Sequence, residues 1–524
     1  MFSTIPMTTH SSSDGSVNLP ERISDVVAPW AKRSPDRAAL VESAGTWTYR
    51  ELARAIAGSE IWLRNLGVRP GDRVMIVCEN CRALVAILLG LAALDAWPVL
   101  ANARLSAREI DQIREHCDAR RVIYTTSVSP HAKEHAKRHG ATIAEVATLG
   151  SIGVGPLNEK TKPEPVDTTP ASRVAALIYT SGSTGLPKGV MLTHRNLLFV
   201  AAVSAKIRVL APDDRVYGIL PMSHAVGLSV VLLGALISGA TLYLSPRFDP
   251  VAALTGLERD RLTVVLGVPA MFALLLEYAN SKGMPSPLKF PALRIISSSG
   301  APLDPALKAS VEQLFGLPLH NGYGVTECSP NIAQANIERP RKDTSVGQIL
   351  PGVEVKLVGA DGESVGDGEV GELCVRGPNV MKGYYRAPEE TAAAIDAEGW
   401  LNTRDLARLE DGNLFIVGRT KELIVRFGFN VYPGEVEAVL NAHPAVLRSA
   451  VIGRAVEGVE GEEEVVAFVQ PLPNTSLTVA ELAEHAARVL ASYKRPSQIV
   501  LIPAMPLTPT GKVMKDELAK QNSA

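Results

Sequence analysis

Ten consecutive residues, Thr180-Ser181-Gly182-Ser183-Thr184-Gly185-Leu186-Pro187-Lys188-Gly189, carry four hydroxyls, three glycines and one lysine. Glycines let the main chain approach a phosphate and turn N–H groups toward it, hydroxyls add hydrogen bonds, and the lysine adds charge. The spacing is not the GxxxxGK[ST] of the common P-loop. A Ser/Gly/Thr run is also what an ordinary turn looks like. Pro187-Lys188-Gly189, set behind the apolar run VAALIY at 174–179, favours the phosphate cradle over the turn. By residue type alone, Glu327 reads as a surface carboxylate and Lys512 as a solvated lysine. His224 beside an apolar stretch likewise reads as a core histidine.

The elements that must position these groups follow from periodicity. From residue 20 to about 150, buried-strand runs such as RVMIVC (73–78) alternate with helices such as the nearly all-apolar LVAILLGLAAL (84–94). Residues 156–169 are a Pro-, Thr- and Lys-rich connector, and strand–helix alternation resumes through 262–268, 293–297 and a helix begun by Asp304. Such alternation implies parallel sheets with crossover helices. After about residue 352 the texture changes to short alternating strands, VEVKLV, GELCVRG and NLFIVG, joined by Gly-rich turns. The last hundred residues hold a further small unit of strands and a helix over 479–491. The expected class is α/β: mainly parallel sheets with flanking helices, a β-rich subdomain, and a small α+β C-terminal part.

Composition narrows the function. The chain has 524 residues and a net charge of −2, from 53 basic and 55 acidic side chains, which excludes a generally basic nucleic-acid binder. Five cysteines are no disulfide framework and fit a reducing, cytoplasmic setting. Cys78-Glu79-Asn80-Cys81 has CxxC spacing, but zinc needs four ligands, so core packing is the better reading. Residues 1–19 read as a flexible tail without a secretory pattern. Residues 227–244 are apolar but interrupted by Gly, Ser and Thr, as in a buried helix running into a strand rather than a membrane span. HAKEHAKRHG at 131–140 reads as a solvated helix face.

The segment YTSGSTGLPKGV, 179–190, resembles the signature loop of the adenylate-forming superfamily, which groups acyl- and aryl-CoA synthetases, peptide-synthetase adenylation domains and beetle luciferases. Five further motifs follow in the family's order: Pro221-Met222-Ser223-His224, Asn321 through Glu327, Trp400 through Asp405, Gly418 through Glu422, and Pro509-Thr510-Gly511-Lys512. The resemblance implies an ATP- and Mg²⁺-dependent enzyme that converts a carboxylate to an acyl-adenylate and passes it to coenzyme A. It assigns Thr180, Ser181, Gly182, Ser183, Thr184, Gly185 and Lys188 to the outer phosphates, Thr326 to the α-phosphate, and Glu327 with Thr184 to the metal. Ser299, Gly300, Ala301, Pro302, Asn321, Gly322, Tyr323 and Gly324 fall on the nucleotide side, Asp405 and Arg419 at the ribose. Lys512 becomes the mobile catalytic lysine, and Lys421 the hinge residue of 419–422 between a large domain (20–418) and a lid (423–524). Gly428, Phe429 and Asn430 resemble the Gly-Phe-Gln segment of CoA ligases that lines the thiol tunnel.

One position departs from pattern: the family's Thr-Gly-Asp is Thr403-Arg404-Asp405 here. If that glycine served only for compactness, Arg404 points to solvent; if a positive φ is needed, the turn carries ~1–2 kcal/mol of strain. The implied acid-pocket walls are His224, Ala225, Val226, Phe272, Gly322, Val325, Ser329 and Asn331, with Ser299, Gly300 and Ala301 shared with the nucleotide side. Apart from the titratable His224, none carries a charge, so the expected acid is a monocarboxylate with an apolar or aryl tail, Ser329 and Asn331 being candidates for a ring hydroxyl. Val425 stands where luciferases carry a lysine, against light emission. The alternatives are an enzyme loading a separate carrier protein and a non-catalytic adenylate-binding protein. The pattern leaves monomer and homodimer both open.

Overall fold

The computed structural model describes residues 19–181, 187–426, 429–456, 463–473, 475–508 and 513–522. The expected tail over 1–19 therefore lies almost entirely outside the described residues, as do Gly182, Ser183, Thr184, Gly185, Gly428 and Lys512. The chain divides into two compact units: Met1–Arg247 with Val325–Asn331 and Pro378–Thr391, and Phe248–Gly324 with Ile332–Gly377 and Ala392–Ala524.

The first unit is built on an eight-stranded sheet centred on Arg73–Cys78, whose six residues are all buried. Trp97–Asn102 and Arg121–Tyr124 flank it in parallel, and Val174–Ser181 extends the parallel core. Parallel neighbours need crossovers buried against the sheet, and Arg82–Ala93 is such a helix, buried from Ala83 through Ala92. The sheet closes antiparallel: Val174–Ser181 folds back onto Pro187–Thr193, which Gly383–Tyr384 extends. Within the same unit Arg215–Gly218, Thr241–Leu244 and Ala38–Glu42 run parallel, edged by Gly45–Thr48.

In the second unit Val264–Gly267, Ile295–Ser298 and Leu319–Gly324 are parallel neighbours. Helix Pro305–Phe315 crosses between the last two and starts where the sequence places it, with the Asp304 carboxylate accepting from the N–H groups of Ala306 (2.8 Å) and Leu307 (3.0 Å). The β-rich stretch becomes a four-stranded antiparallel sheet of Glu354–Val358, Gly371–Arg376, Leu401–Glu410 and Asn413–Arg419. Near the C-terminus Val446–Ala455, Glu463–Pro471 and Gln498–Leu501 form a small sheet, with a core of Val451, Val465, Ala467, Leu440 and Leu482 shared with helices Pro433–Asn441 and Val479–Val489.

Three local readings meet the structure differently. The 227–244 stretch is a wide π-helical run, Val226–Leu233, then a short helix, Gly234–Ile237, and the strand Thr241–Leu244. Among the described residues no helix is long and apolar enough to cross a membrane. Cys78 and Cys81 are buried and free, and the Cys81 sulfur caps Arg82–Ala93. The 131–140 segment has the expected solvated helix face and a buried one besides. Helix Pro130–Arg138 exposes His131, Lys133, Glu134, Lys137 and Arg138, while Ala132, His135 and Ala136 are buried. His135 is held at 3.2 Å by the carbonyls of Ala103 and Leu105, and His139 lies between Tyr124 (2.5 Å) and Asp111 (2.9 Å). A charge run hides this face because histidine can spend both ring nitrogens inside a core.

Candidate active site

Thr180 and Lys188 are cross-strand partners at the mouth of the Val174–Ser181/Pro187–Thr193 hairpin, so Lys188 stands on a strand rather than in a loop. Residues 182–186 join the two strands, and helix His194–Ile207 begins only after the second strand. A phosphate held by Thr180 and Lys188 would meet strand ends, not a helix N-terminus. Gly189 makes the pairing tight: a Cβ there would lie 3.1 Å from the Tyr179 ring. Ser181 ends its strand.

Still within the first unit, the half-buried Lys188 ammonium rests 5.2 Å from the centroid of the Tyr384 ring. The Tyr384 hydroxyl donates to Glu327 Oε1 at 2.9 Å, and the Met381 N–H donates to the Glu327 carbonyl at 2.8 Å. Thr326 and Glu327 are half-buried in the turn Thr326–Cys328, with Val325 just ahead. The 378–385 segment is fixed in turn by Asn196, whose amide donates to the carbonyls of Pro378 and Val380, each at 2.8 Å. Tyr384 and Asn196 escape sequence reading. The signal for the tyrosine was its place in Lys-Gly-Tyr-Tyr; Asn196 had none beyond a capping position.

His224 is half-buried, and desolvation lowers its pKa, so the neutral imidazole prevails at pH 7. Its approach is set by Asn80, which donates to the carbonyls of Gly218 (3.0 Å) and Leu220 (2.9 Å) and accepts from the Met222 N–H at 2.9 Å. Asn80 sits inside the Cys-x-x-Cys that the sequence offers only as a zinc question. Ala225 is buried and Val226 half-buried where the π-helical run starts. Ser329 and Asn331 are fully interior. The Ser329 hydroxyl donates to the Asn379 carbonyl (2.9 Å), and the Asn331 amide to the Ser204 hydroxyl (3.0 Å). Both donors are thus engaged within the protein.

In the second unit Asp405 is held by hydrogen bonds. Asp405 is 3% exposed and accepts from the Tyr323 hydroxyl and, at 2.9 Å, from Arg419 Nε. Burial works against the Arg419 cation, but Asp405 and Glu422 outweigh it and hold the guanidinium pKa above its usual value. Arg404 adopts φ +58°, so the turn does take the positive-φ conformation that glycine would occupy without strain. Its N–H is satisfied by Asn402 Oδ1 at 2.7 Å, and its side chain is exposed. Asn321 is buried and pinned to the Thr344 carbonyl (2.9 Å), with Gly322 and Gly324 alongside on the same strand. Ser299 and Ala301 are half-buried, Gly300 and Pro302 exposed, and Gly300 takes φ +84°. Phe272 is wholly buried. Lys421 is exposed in the turn Thr420–Glu422. Phe429 and Asn430 are exposed, the Phe429 ring stacked on Tyr493 at 4.7 Å.

Among the described residues no group of three or more His, Cys, Asp or Glu side chains could hold a metal alone. One hard carboxylate already oriented by a hydroxyl is nonetheless what Mg²⁺ asks of a protein when phosphate oxygens and water complete its shell. Glu327 fits that requirement.

One unit thus carries strand ends with hydroxyls and a lysine beside an oriented carboxylate, and the other a buried Asp405 held by Arg419 and Tyr323, residue types suited to a nucleotide-binding, acid-activating enzyme. The AMP-binding enzyme family matches residues 27–385 and its C-terminal domain residues 435–512. The chain belongs to that family. A feruloyl-CoA synthase from Amycolatopsis sp. is 35% identical over 94% of this chain and 97% of its own. A 4-coumarate–CoA ligase from Pinus taeda is 32% identical over 93% of each. The ATP-bound crystal structure of MatB from Rhodopseudomonas palustris superposes with a TM-score of 0.81 at 27% identity, covering 95% of this chain and 98% of that one.

Proposed function

We propose that this chain is an AMP-forming acid–CoA ligase whose acid is an aryl monocarboxylate of the hydroxycinnamate type. The observation that carries this is the near end-to-end match to relatives named for feruloyl-CoA and 4-coumarate–CoA chemistry. The acid-side residues add to it: Ala225, Val226 and Phe272 are apolar and His224 is neutral, so a second charge on the substrate would find no partner among them.

In the first half-reaction a carboxylate oxygen attacks the α-phosphorus of ATP, and pyrophosphate leaves. Thr180 and Lys188, with Ser181 and residues 182–185, would hold the outer phosphates. Thr326 would donate to the α-phosphate, while Asp405, oriented by Arg419 and Tyr323, would accept from the ribose hydroxyls. Glu327 with Thr184 would hold Mg²⁺, which when bound neutralises charge on the triphosphate. Lys512 would bridge carboxylate and α-phosphate, a preorganised cation aimed at developing charge. Neutral His224 would orient the carboxylate without competing with Lys512 for it. In the second half-reaction the thiol sulfur of coenzyme A attacks the acyl carbon and AMP leaves. Turning a lid (423–524) about Lys421 would withdraw Lys512 and bring Gly428, Phe429 and Asn430 to the thiol path. Five buried cysteines outside any disulfide suit the cytoplasm as the place of work.

The test is an acid panel of cinnamates, benzoates and medium-chain fatty acids, read by pyrophosphate exchange and by thioester absorbance. Hydroxycinnamates should lead in both. Exchange without CoA-dependent thioester would mean a carrier-protein loader, and nucleotide binding without pyrophosphate release would remove the enzymatic reading.

A further inference from the structure

We propose that Tyr384 is a positioning residue that yokes the cation of the phosphate hairpin to the carboxylate facing the nucleotide's metal; the inference rests on the nucleotide-site reading above. The tyrosine uses two chemically distinct surfaces. Its hydroxyl donates to Glu327 Oε1 at 2.9 Å, and its ring face receives the Lys188 ammonium at 5.2 Å.

Register explains why it serves both. Tyr384 pairs with Val190, two residues beyond Lys188 on the same strand, so alternation puts Lys188 and Val190 on one face. The tyrosine backbone is clamped on both sides. The Lys382 N–H donates to the Met191 carbonyl (3.0 Å), the Tyr385 N–H to the Gly189 carbonyl (2.7 Å), and the Tyr384 N–H to Thr391 Oγ1 (2.9 Å). The Glu327 main chain is tied to the same segment through Met381. Lys188 and Glu327 carry opposite charges, and a direct ion pair would commit both to each other. The ring holds the cation without consuming any of its three donors, and the hydroxyl occupies one carboxylate oxygen while leaving the second for a metal. Both ions thus keep their capacity for a metal–triphosphate while losing their freedom to wander.

Two variants separate the two surfaces. Tyr384→Phe keeps the ring face and removes the hydroxyl; Tyr384→Leu removes both. Calorimetric titration of ATP without metal and at graded Mg²⁺, with circular dichroism as a folding check, reads each contact without turnover. Tyr384→Phe should raise the Mg²⁺ needed for half-maximal tightening of ATP by about tenfold, leaving metal-free ATP binding within about twofold. Tyr384→Leu should also weaken metal-free ATP binding by about fivefold as Lys188 loses its platform. Wild-type Mg²⁺ dependence in Tyr384→Phe would overturn the proposal, and so would equal metal-free losses in both variants. A wild-type protein that fails the acid panel would instead remove the ligase reading, and the titrations would still judge the yoke.

Discussion

At the scale of single residues, the departure at Arg404 has a measurable consequence. Its φ of +58° is a conformation that costs a non-glycine residue ~1–2 kcal/mol, and its side chain is exposed. Arg404→Gly should therefore raise the calorimetric unfolding temperature by about 2 °C, the relief being partly offset by the glycine's greater freedom when unfolded, with KM for ATP unchanged. Lys512 offers the opposite kind of test, because the role proposed for it is chemical rather than conformational. Lys512→Ala should slow adenylation by about 10²–10³-fold and leave thioester formation from synthetic acyl-adenylate largely intact. Equal loss in both half-reactions, followed by pyrophosphate release and by thioester absorbance, would contradict the lid assignment. Both residues were visible in the sequence: Lys512 through its motif, Arg404 because it broke one.

Elements decide how the motifs are presented. The π-helical run Val226–Leu233 starts two residues after His224, and Gly227 lies at its first turn. A Cβ on Gly227 would lie 2.1 Å from the Pro221 carbonyl oxygen, a main-chain atom that cannot swing away. Gly227→Ala should therefore cost about 2–3 kcal/mol of stability and raise KM for the acid more than KM for ATP, as calorimetry and initial rates would report. Apolar composition announced a buried helix here, but its wide turn was illegible because hydrophobicity all round has no phase. The phosphate hairpin shows the same division. The Ser/Gly/Thr run announced itself, whereas the placing of Lys188 on a strand opposite Thr180 depends on a register that only the partner strands set.

On the scale of the whole molecule, buried His194 should contribute to the acid limb of stability. His194 is fully buried, accepts from the Ile23 N–H at 3.2 Å, and desolvation brings its pKa from an ordinary 6.5 down to about 4. Asp95 opposes that shift, and Arg22 and Arg173 reinforce it. The unfolded chain thus binds the proton first. The stability of neutral His194 is complete above about pH 6.5 and declines as pH falls toward 4, by about 3 kcal/mol in all. His116 and His139, also lowered chiefly by burial, act in the same direction. His194→Asn, which preserves an acceptor for Ile23, should flatten urea-midpoint curves between pH 6.5 and 4; an unchanged slope would show that other groups carry the acid limb. By itself the sequence determined the α/β alternation, the change to β-rich texture after residue 352, and the motif residues, because apolar period and residue chemistry are local properties. Only the tertiary structure decided that Tyr384 meets Glu327 across 57 residues and Tyr323 meets Asp405 across 82. Such meetings depend on strand register and on loops closed over long chain separations, and no local pattern of side chains encodes either.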